Sequence, residues 1–178
     1  MKFKTALVAL TIAAGFSGAS NATTYNFEQC KRFSESQIET LKDAWFAGAD
    51  RDYGWTLAAI VWKESSAGEK LVNPAGPAYG AFQNLSSTVT RRLHQQGVKI
   101  TRRQVEVKLM TDFGFAAEMA MAELDYWKGR HNGNWNKAVQ SYYGGNTPNS
   151  PVAIAYREDI VKKIKFLRNN GCIFNDDK

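Results

Sequence analysis

The sequence predicts one mainly α-helical domain with a small β-hairpin in a glycine-rich loop. Apolar residues recur at the spacing of a helix along most of the chain. Between Ala67 and Leu85 this pattern stops, and five glycine and proline residues indicate a loop with at most a short hairpin. The length of 178 residues fits one domain with a real core, and we find no internal repeat or low-complexity tract.

Capping signals and apolar spacing place the helices in order. Ser34-x-x-Gln37 and Thr101-x-x-Gln104 are capping boxes that predict two helix starts, with the second helix reaching about Met110. Ser150-Pro151 combines an N-cap with proline at the first helical position, and Gly171 is a natural stop. The other predicted helices run from about Tyr53 to Ser65, from near Ser86, from Phe113 to Trp127 and from Trp135 to Tyr143.

The first 22 residues differ from the rest of the chain. Two lysines precede an apolar run from Ala6 to Phe16, and Ser20-Asn21-Ala22 fits the small-x-small pattern of a cleavage site. The apolar run is too short to cross a bilayer comfortably. We therefore expect residues 1–22 to be a secretory signal peptide and residues 23–178 to form one periplasmic or secreted domain. An uncleaved membrane anchor is the alternative.

Export affects the interpretation of the two cysteines, Cys30 and Cys172, which lie near the two ends of the expected mature chain. In an oxidising compartment a distant pair of cysteines is most simply a disulfide. Two unpaired thiols are the alternative. No histidine lies near either cysteine in the sequence to suggest a metal site.

The net charge is moderately basic, at +6 for the whole chain. Without residues 1–22, which hold two lysines and no acids, 21 basic and 17 acidic residues leave +4. This excess suits an anionic polymer or surface as partner. It is too small to indicate nucleic acid, for which we also find no recognised motif.

Glu64 is the residue that points most clearly to chemistry. It follows Leu57 by seven positions, Ile60 by four and Val61 by three, so on a helix it shares their apolar face. A carboxyl on such a face is either paired or desolvated, and desolvation raises its pKa. A raised pKa lets a carboxylic acid donate a proton near neutral pH. A salt-bridged glutamate at a helix end is the alternative interpretation.

Three further segments follow Glu64-Ser65 along the chain. They are Gly80-Ala81-Phe82-Gln83, Ser141-Tyr142-Tyr143-Gly144-Gly145 and, in the last predicted helix, Tyr156. Their order and spacing resemble the soluble lytic transglycosylase family of the lysozyme superfamily, over roughly Gly54 to Lys165. The resemblance implies an α+β lysozyme-like fold with the hairpin beside the catalytic helix. It also implies cleavage of the β-1,4 bond between N-acetylmuramic acid and N-acetylglucosamine in peptidoglycan, with a 1,6-anhydro product.

The resemblance implies a role for each matching residue. Glu64 would be the single catalytic acid and base, and Ser65 would orient it or the acetamido group of the substrate. Gly80 would let the sugar come close to the backbone. The residues that would line the cleft or contact the glycan are Ser65, Gly80, Phe82, Gln83, Tyr142, Tyr143 and Tyr156. The reaction requires neither a cofactor nor a metal ion.

Two positions depart from the family pattern. Phe82 replaces a methionine and keeps an apolar wall, whereas Tyr143 replaces an asparagine and removes an amide that can hydrogen-bond the substrate. Core packing is the alternative role for the tyrosines and for Phe82. Trp62 and Tyr79 are further candidates for stacking on sugars, with burial in the core as the alternative.

A second carboxyl is absent where most glycosidases place one. Such enzymes use two acids that flank the bond, but the sequence has no Asp or Glu from Lys70 to Val105. A single acid suffices if the acetamido group of the substrate stabilises the cation. Glu106, Asp112 and Glu118 follow later in the chain, and they leave hydrolysis open.

The leading interpretation is therefore a peptidoglycan lytic transglycosylase. The alternatives are a goose-type hydrolytic lysozyme, a phage endolysin and a non-catalytic scaffold that binds peptidoglycan. One small domain suits local wall opening for a secretion, conjugation or pilus apparatus, and it also suits phage lysis. We expect a monomer that acts on glycan strands.

Overall fold

The computed structural model describes residues 27–74 and 76–174. The expected signal peptide, residues 1–22, lies outside the described residues, so its cleavage stays a prediction. In the described part of the chain we find seven α-helices, a 3₁₀ helix and a two-stranded sheet, which confirms the mainly helical fold class. No helix among these is both long enough and apolar enough to cross a membrane.

The elements follow one another along the chain with short connections. A 3₁₀ helix, Phe27–Arg32, comes first. The α-helices are α1 (Glu35–Ala49), α2 (Gly54–Ser65), α3 (Ser86–Gln95), α4 (Arg102–Thr111), α5 (Phe113–Arg130), α6 (Trp135–Gly144) and α7 (Pro151–Asn170). The strands β1 (Ala78–Tyr79) and β2 (Asn84–Leu85) lie between α2 and α3.

The helix ends agree with the capping signals of the sequence. Both capping boxes form, with the side chains of Ser34 and Thr101 accepting from the backbone three residues later. Ser150 caps α7, whose first residue is proline. Gly171 ends that helix in the left-handed conformation, with φ of 67°. Local sequence therefore determines where these helices begin and where α7 ends.

Helix α2 is the centre of the fold, and it packs against α1, α5 and α7. Leu57, Ile60 and Val61 are fully buried along it, so its apolar face is the one that the sequence pattern predicts. Ala116, Ala117 and Ala120 of α5 are buried as well. Small side chains let neighbouring helices approach closely, and α5 packs against α2 and α6.

The hairpin after α2 is short and antiparallel, with Ala78 opposite Leu85. Gly80 begins its turn at a φ of +79°, a conformation that favours glycine. A β-carbon on Gly80 would lie 2.0 Å from the carbonyl oxygen of Leu109 in α4. We expected a sugar to approach the backbone here. In the structure, the group that comes close to Gly80 is instead the backbone of α4.

The expected disulfide between Cys30 and Cys172 is present. It joins the 3₁₀ helix to the segment that follows α7, across 142 residues of sequence. The two ends of the described chain are thereby held together beside the core. Trp62 lies in the same region, where its ring packs on Phe33 at 4.9 Å and on Phe166 at 5.4 Å.

Candidate active site

Glu64 lies in the last turn of α2 and receives a hydrogen bond from the far end of the sequence. The hydroxyl of Tyr156, in α7, donates to Oε1 of Glu64 at 2.5 Å. Tyr156 is only 4% exposed. Its pKa is raised well above the ordinary value, first by burial and then by the charge of Glu64. The phenol therefore stays protonated and acts as a hydrogen-bond donor to the carboxyl.

The carboxyl of Glu64 has the electrostatics of a proton donor. Burial raises its pKa above 4.5, and this effect exceeds the lowering by the Tyr156 hydrogen bond and by the charge of Lys63. Lys63 is itself paired with Asp159, whose carboxylate lies 2.8 Å from the lysine Nζ. Asp159 also pairs with Lys163. The lysine charge that acts on Glu64 is thus partly neutralised, and desolvation is the largest influence on the pKa of Glu64.

Ser65 follows Glu64, and its hydroxyl points into the protein. It is fully buried, donating to the carbonyl of Val61 at 2.9 Å and accepting from the amide of Gly68 at 2.9 Å. Ser66 and Ala67 next to it have positive φ. The observed contacts of Ser65 therefore hold the tight turn that ends α2. They do not reach Glu64 or the surface where a glycan would lie.

Tyr142 on α6 connects the hairpin to the surroundings of Glu64. Its hydroxyl donates to the carbonyl of Phe82 at 2.9 Å. The pKa of Tyr142 is raised well above its ordinary value by burial, then by the charges of Glu64 and Glu123. The charges of both carboxyls therefore disfavour ionisation of the Tyr142 hydroxyl.

Phe82 and Gln83 support the hairpin from within. Phe82 is fully buried, and its ring packs 5.3 Å from that of Phe113. The expectation that its side chain forms a wall of the cleft is wrong, because α5 covers it. The side-chain nitrogen of Gln83 donates to the carbonyls of Gly80 at 3.0 Å and Leu71 at 3.3 Å. Gln83 remains partly exposed, and a contact with the glycan stays a prediction.

Tyr143 lies on the outer side of Tyr156. The two rings are stacked, with centroids 5.0 Å apart and planes at 18°. Tyr143 is 57% exposed, so one face of the pair is open to solvent. The position where the family resemblance led us to expect an asparagine thus holds an aromatic surface beside the tyrosine that contacts Glu64.

A comparison with known protein families identifies the family to which this chain belongs. A family model described as the transglycosylase SLT domain matches residues 47–163, about two thirds of the chain. The chain belongs to the transglycosylase SLT family. Membership supports transglycosylase-type cleavage of peptidoglycan, and it confirms the resemblance seen in the sequence motifs.

One curated relative matches most of this SLT protein. It is an uncharacterized 20.7 kDa protein from the vs-regB intergenic region of Enterobacteria phage T4. The two are 34% identical over 148 residues, which is 82% of this chain and 78% of the phage protein. No solved structure gives a significant match.

The three acids that left hydrolysis open each contact other residues of the SLT domain. Glu106 accepts from Ser86 and pairs with Arg102. Asp112 caps α5, and the hydrogen bond from the amide of Phe115 helps to lower its pKa. Glu118 is paired with Arg51 on the surface. None of these described contacts involves Glu64.

Glu123 is a carboxyl near the site that we did not identify from the sequence. It is on α5 and lines a small cavity of about 40 Å³ together with Gln83, Val89, Met119 and Tyr142. The sequence contains a signal that could have identified Glu123. It follows Ala116 by seven positions, follows Ala120 by three and precedes Trp127 by four, so it shares their apolar helix face. The same apolar-face criterion that identified Glu64 identifies Glu123.

In the described residues we find no cluster of His, Cys, Asp or Glu suited to a metal ion.

Proposed function

We propose that this SLT protein cleaves the β-1,4 bond between N-acetylmuramic acid and N-acetylglucosamine and leaves a 1,6-anhydro end, with Glu64 as the acid and then the base. One observation carries the proposal. A partly buried carboxyl with a raised pKa receives a short hydrogen bond from a buried tyrosine in a family of transglycosylases. A group with these properties is suited to exchanging one proton with the substrate.

In the first step Glu64 acts as a general acid. Its proton goes to the glycosidic oxygen as the bond from that oxygen to C1 of the muramic sugar breaks. The carbonyl oxygen of the 2-acetamido group bonds to C1 and takes the positive charge into an oxazolinium ring. Because the substrate supplies this group, no second acid is required as a nucleophile.

In the second step Glu64 acts as a general base. The carboxylate takes the proton of the C6 hydroxyl while the hydroxyl oxygen attacks C1 and displaces the acetamido oxygen. Glu64 regains its proton, and the product sugar closes a 1,6-anhydro ring. The hydroxyl of Tyr156 remains hydrogen-bonded to the carboxylate and stabilises its charge between the two steps.

The exposed ring of Tyr143 extends the site towards solvent. Aromatic faces provide large apolar contacts with a polar group at the edge, and such residues are suited to packing against a sugar ring. We assign Tyr143 to glycan contact on this basis. Tyr142 and Gln83 support the hairpin next to this surface.

Product analysis tests the reaction. Purified peptidoglycan is digested with the protein, and the fragments are analysed by mass spectrometry. We expect fragments that end in anhydromuramic acid, which weigh one water less than fragments with reducing ends. Reducing ends alone would make the protein a goose-type hydrolase or an endolysin. Uncut peptidoglycan that nevertheless binds the protein would favour the non-catalytic scaffold.

The biological setting of this proposal is export followed by local cutting of the wall. Residues 1–22 have the pattern of a signal peptide, and mass spectrometry of the exported protein should find Thr23 at the N-terminus. A periplasmic or secreted monomer of this kind suits a secretion, conjugation or pilus apparatus. The related phage protein gives equal weight to phage lysis, and the neighbouring genes distinguish these settings.

A further inference from the structure

Glu123 is held in place from two sides. Nη1 of Arg92 in α3 lies 2.5 Å from Oε2 of Glu123. The indole nitrogen of Trp127, one turn later in α5, donates to Oε1. The side chains of Glu123 and Arg92 are only 21% and 17% exposed, so this ion pair is largely withdrawn from water. Such a carboxylate has a fixed position and orientation.

Glu123 has hydrogen-bonding capacity that these two partners leave unused. An ionised carboxylate has about four acceptor positions and donates nothing. Arg92 and Trp127 occupy one position on each oxygen. Because Glu123 also lines the small cavity beside Tyr142, a group that enters the cavity meets an acceptor. A group that forms a hydrogen bond with Glu123 there must therefore carry an N–H or O–H.

The cavity is larger than one water requires, and its lining is amphipathic. Its volume of about 40 Å³ exceeds the roughly 10–15 Å³ that one water requires. Its lining is mixed, since Glu123, Gln83, Asn84 and Thr88 are polar whereas Val89 and Met119 are apolar. A water molecule satisfies the polar groups alone. An acetamido group has both an N–H and a methyl, and so it matches both parts of the lining.

The cavity is connected to the reacting carboxyl through α6. Tyr142 lines it, and the next residue, Tyr143, stacks on the ring of Tyr156, whose hydroxyl donates to Glu64. The charges of both Glu64 and Glu123 also act on the hydroxyl of Tyr142. In the substrate, the glycosidic oxygen is on C1 and the acetamido group is on the adjacent C2. The acetamido group is therefore on the carbon next to the one that reacts at Glu64, and a cavity on this side of the site is a suitable place for it.

We infer that Glu123 accepts a hydrogen bond from the N–H of the substrate's 2-acetamido group. This contact aims the acetamido carbonyl at C1. It also places a negative charge beside the oxazolinium nitrogen when the C1–oxygen bond breaks and the leaving oxygen takes the proton of Glu64. Glu123 is then a binding and electrostatic residue of the reaction, while Glu64 alone transfers protons. The inference rests on the proposed function in taking an N-acetylated sugar as the substrate.

Ligand binding by Glu123→Gln tests the inference. Two probes are compared by calorimetry on the full mature protein: the thiazoline derived from N-acetylglucosamine, which mimics the fused oxazolinium ring, and chitotriose, which mimics the ground state. We expect Glu123→Gln to lose roughly 10- to 100-fold in affinity for the thiazoline, as for the loss of a charged hydrogen bond. Affinity for chitotriose should fall much less. With soluble peptidoglycan fragments, kcat should fall while KM changes little.

Arg92→Gln is the matched control, because it breaks the same ion pair from the other side and leaves the carboxylate, to which Trp127 still donates. It should lose less thiazoline affinity than Glu123→Gln. Equal losses in the two variants, or equal losses for the two probes, would mean that the pair is structural and would overturn the inference. If Glu123→Gln does not fold, Glu123→Asp repeats the comparison with the charge kept and the reach shortened.

Different results would overturn the role of Glu123 and the proposed function. A wild-type protein that does not bind the thiazoline overturns the role of Glu123, even if it cleaves peptidoglycan. A wild-type protein that binds the thiazoline through Glu123 but releases no fragments from peptidoglycan overturns the proposed function instead.

Discussion

Two glutamates lie on apolar helix faces of this protein, and their surroundings differ. Glu64 on α2 is partly buried beside a neutral phenol, and its pKa is raised. Glu123 on α5 is partly buried beside the guanidinium of Arg92. The spacing of apolar residues finds both carboxyls, but the partner supplied by another helix decides their chemistry. A neutral partner leaves an acid that can exchange a proton, whereas a cationic partner leaves a fixed anion.

The largest expected difference between the two glutamates is in catalysis, and the Glu64→Gln variant tests it. Glutamine keeps the shape and can accept the hydrogen bond of Tyr156, but it cannot transfer a proton. We expect a loss of about 10²–10⁴-fold in the rate of peptidoglycan cleavage. The release of soluble fragments from purified walls measures this rate. The exposed Glu69, changed to Gln, is the control and should keep its activity.

An active Glu64→Gln variant would contradict the mechanism as a whole. The search for the acid would then move to the other carboxyls near the hairpin. Glu123 is the first of these to examine, because it lines the cavity beside Tyr142.

The second effect concerns stability, and we expect the replacement of Glu123 to destabilise the protein more than the replacement of Glu64. Glu123→Gln leaves the guanidinium of Arg92 largely buried without its anion. We expect the free energy of unfolding to fall by about 1–3 kcal/mol, as for a partly buried charge that loses its partner. Urea denaturation followed by circular dichroism measures the change. An unchanged midpoint would show that water replaces the carboxylate and that the pair is exposed in solution.

The third effect is a change in pH dependence on Tyr156→Phe. The tyrosine hydrogen bond lowers the pKa of Glu64, so its removal should raise that pKa further. The alkaline limb of kcat/KM should move to higher pH. We also expect a decrease of up to about tenfold in kcat/KM from the lost hydrogen bond. Phenylalanine keeps the ring packed on Tyr143, so loss of packing does not explain the change.

Tyr142→Phe is the control for this pH profile, because its hydroxyl donates to the carbonyl of Phe82 and not to Glu64. Its alkaline limb should coincide with that of the wild type. A shift of the same size in both tyrosine variants would indicate a general change of the site.

The smallest effect is the contribution of Glu64 itself to stability. Its pKa is raised in the folded protein, so the folded state binds this proton more tightly than the unfolded chain. The stabilisation is fully present below the unfolded pKa and is lost as pH rises through the folded pKa. Glu64→Gln should therefore gain in Tm relative to the wild type as the pH rises above the ordinary pKa of a glutamate. Glu69→Gln should show no such trend.

Several features of the fold could be predicted from the sequence, because their causes lie within a few residues. The capping boxes at Ser34 and Thr101, the proline start of α7 and the Gly171 stop depend on hydrogen bonds across one helical turn. The apolar face of α2 that carries Glu64 depends on the same short periodicity. The disulfide followed from the expectation of an oxidising compartment and from the presence of one pair of cysteines.

The tertiary structure alone decided what surrounds each site residue. Phe82 is part of the core because α5 packs over the hairpin, and Gly80 is required because the backbone of α4 approaches it. Tyr156 meets Glu64 across 92 residues of sequence, and Arg92 meets Glu123 because α3 and α5 bring their side chains together. Helical periodicity fixes which residues share a face. It cannot fix which other helix that face meets, since that depends on how all the faces are buried together.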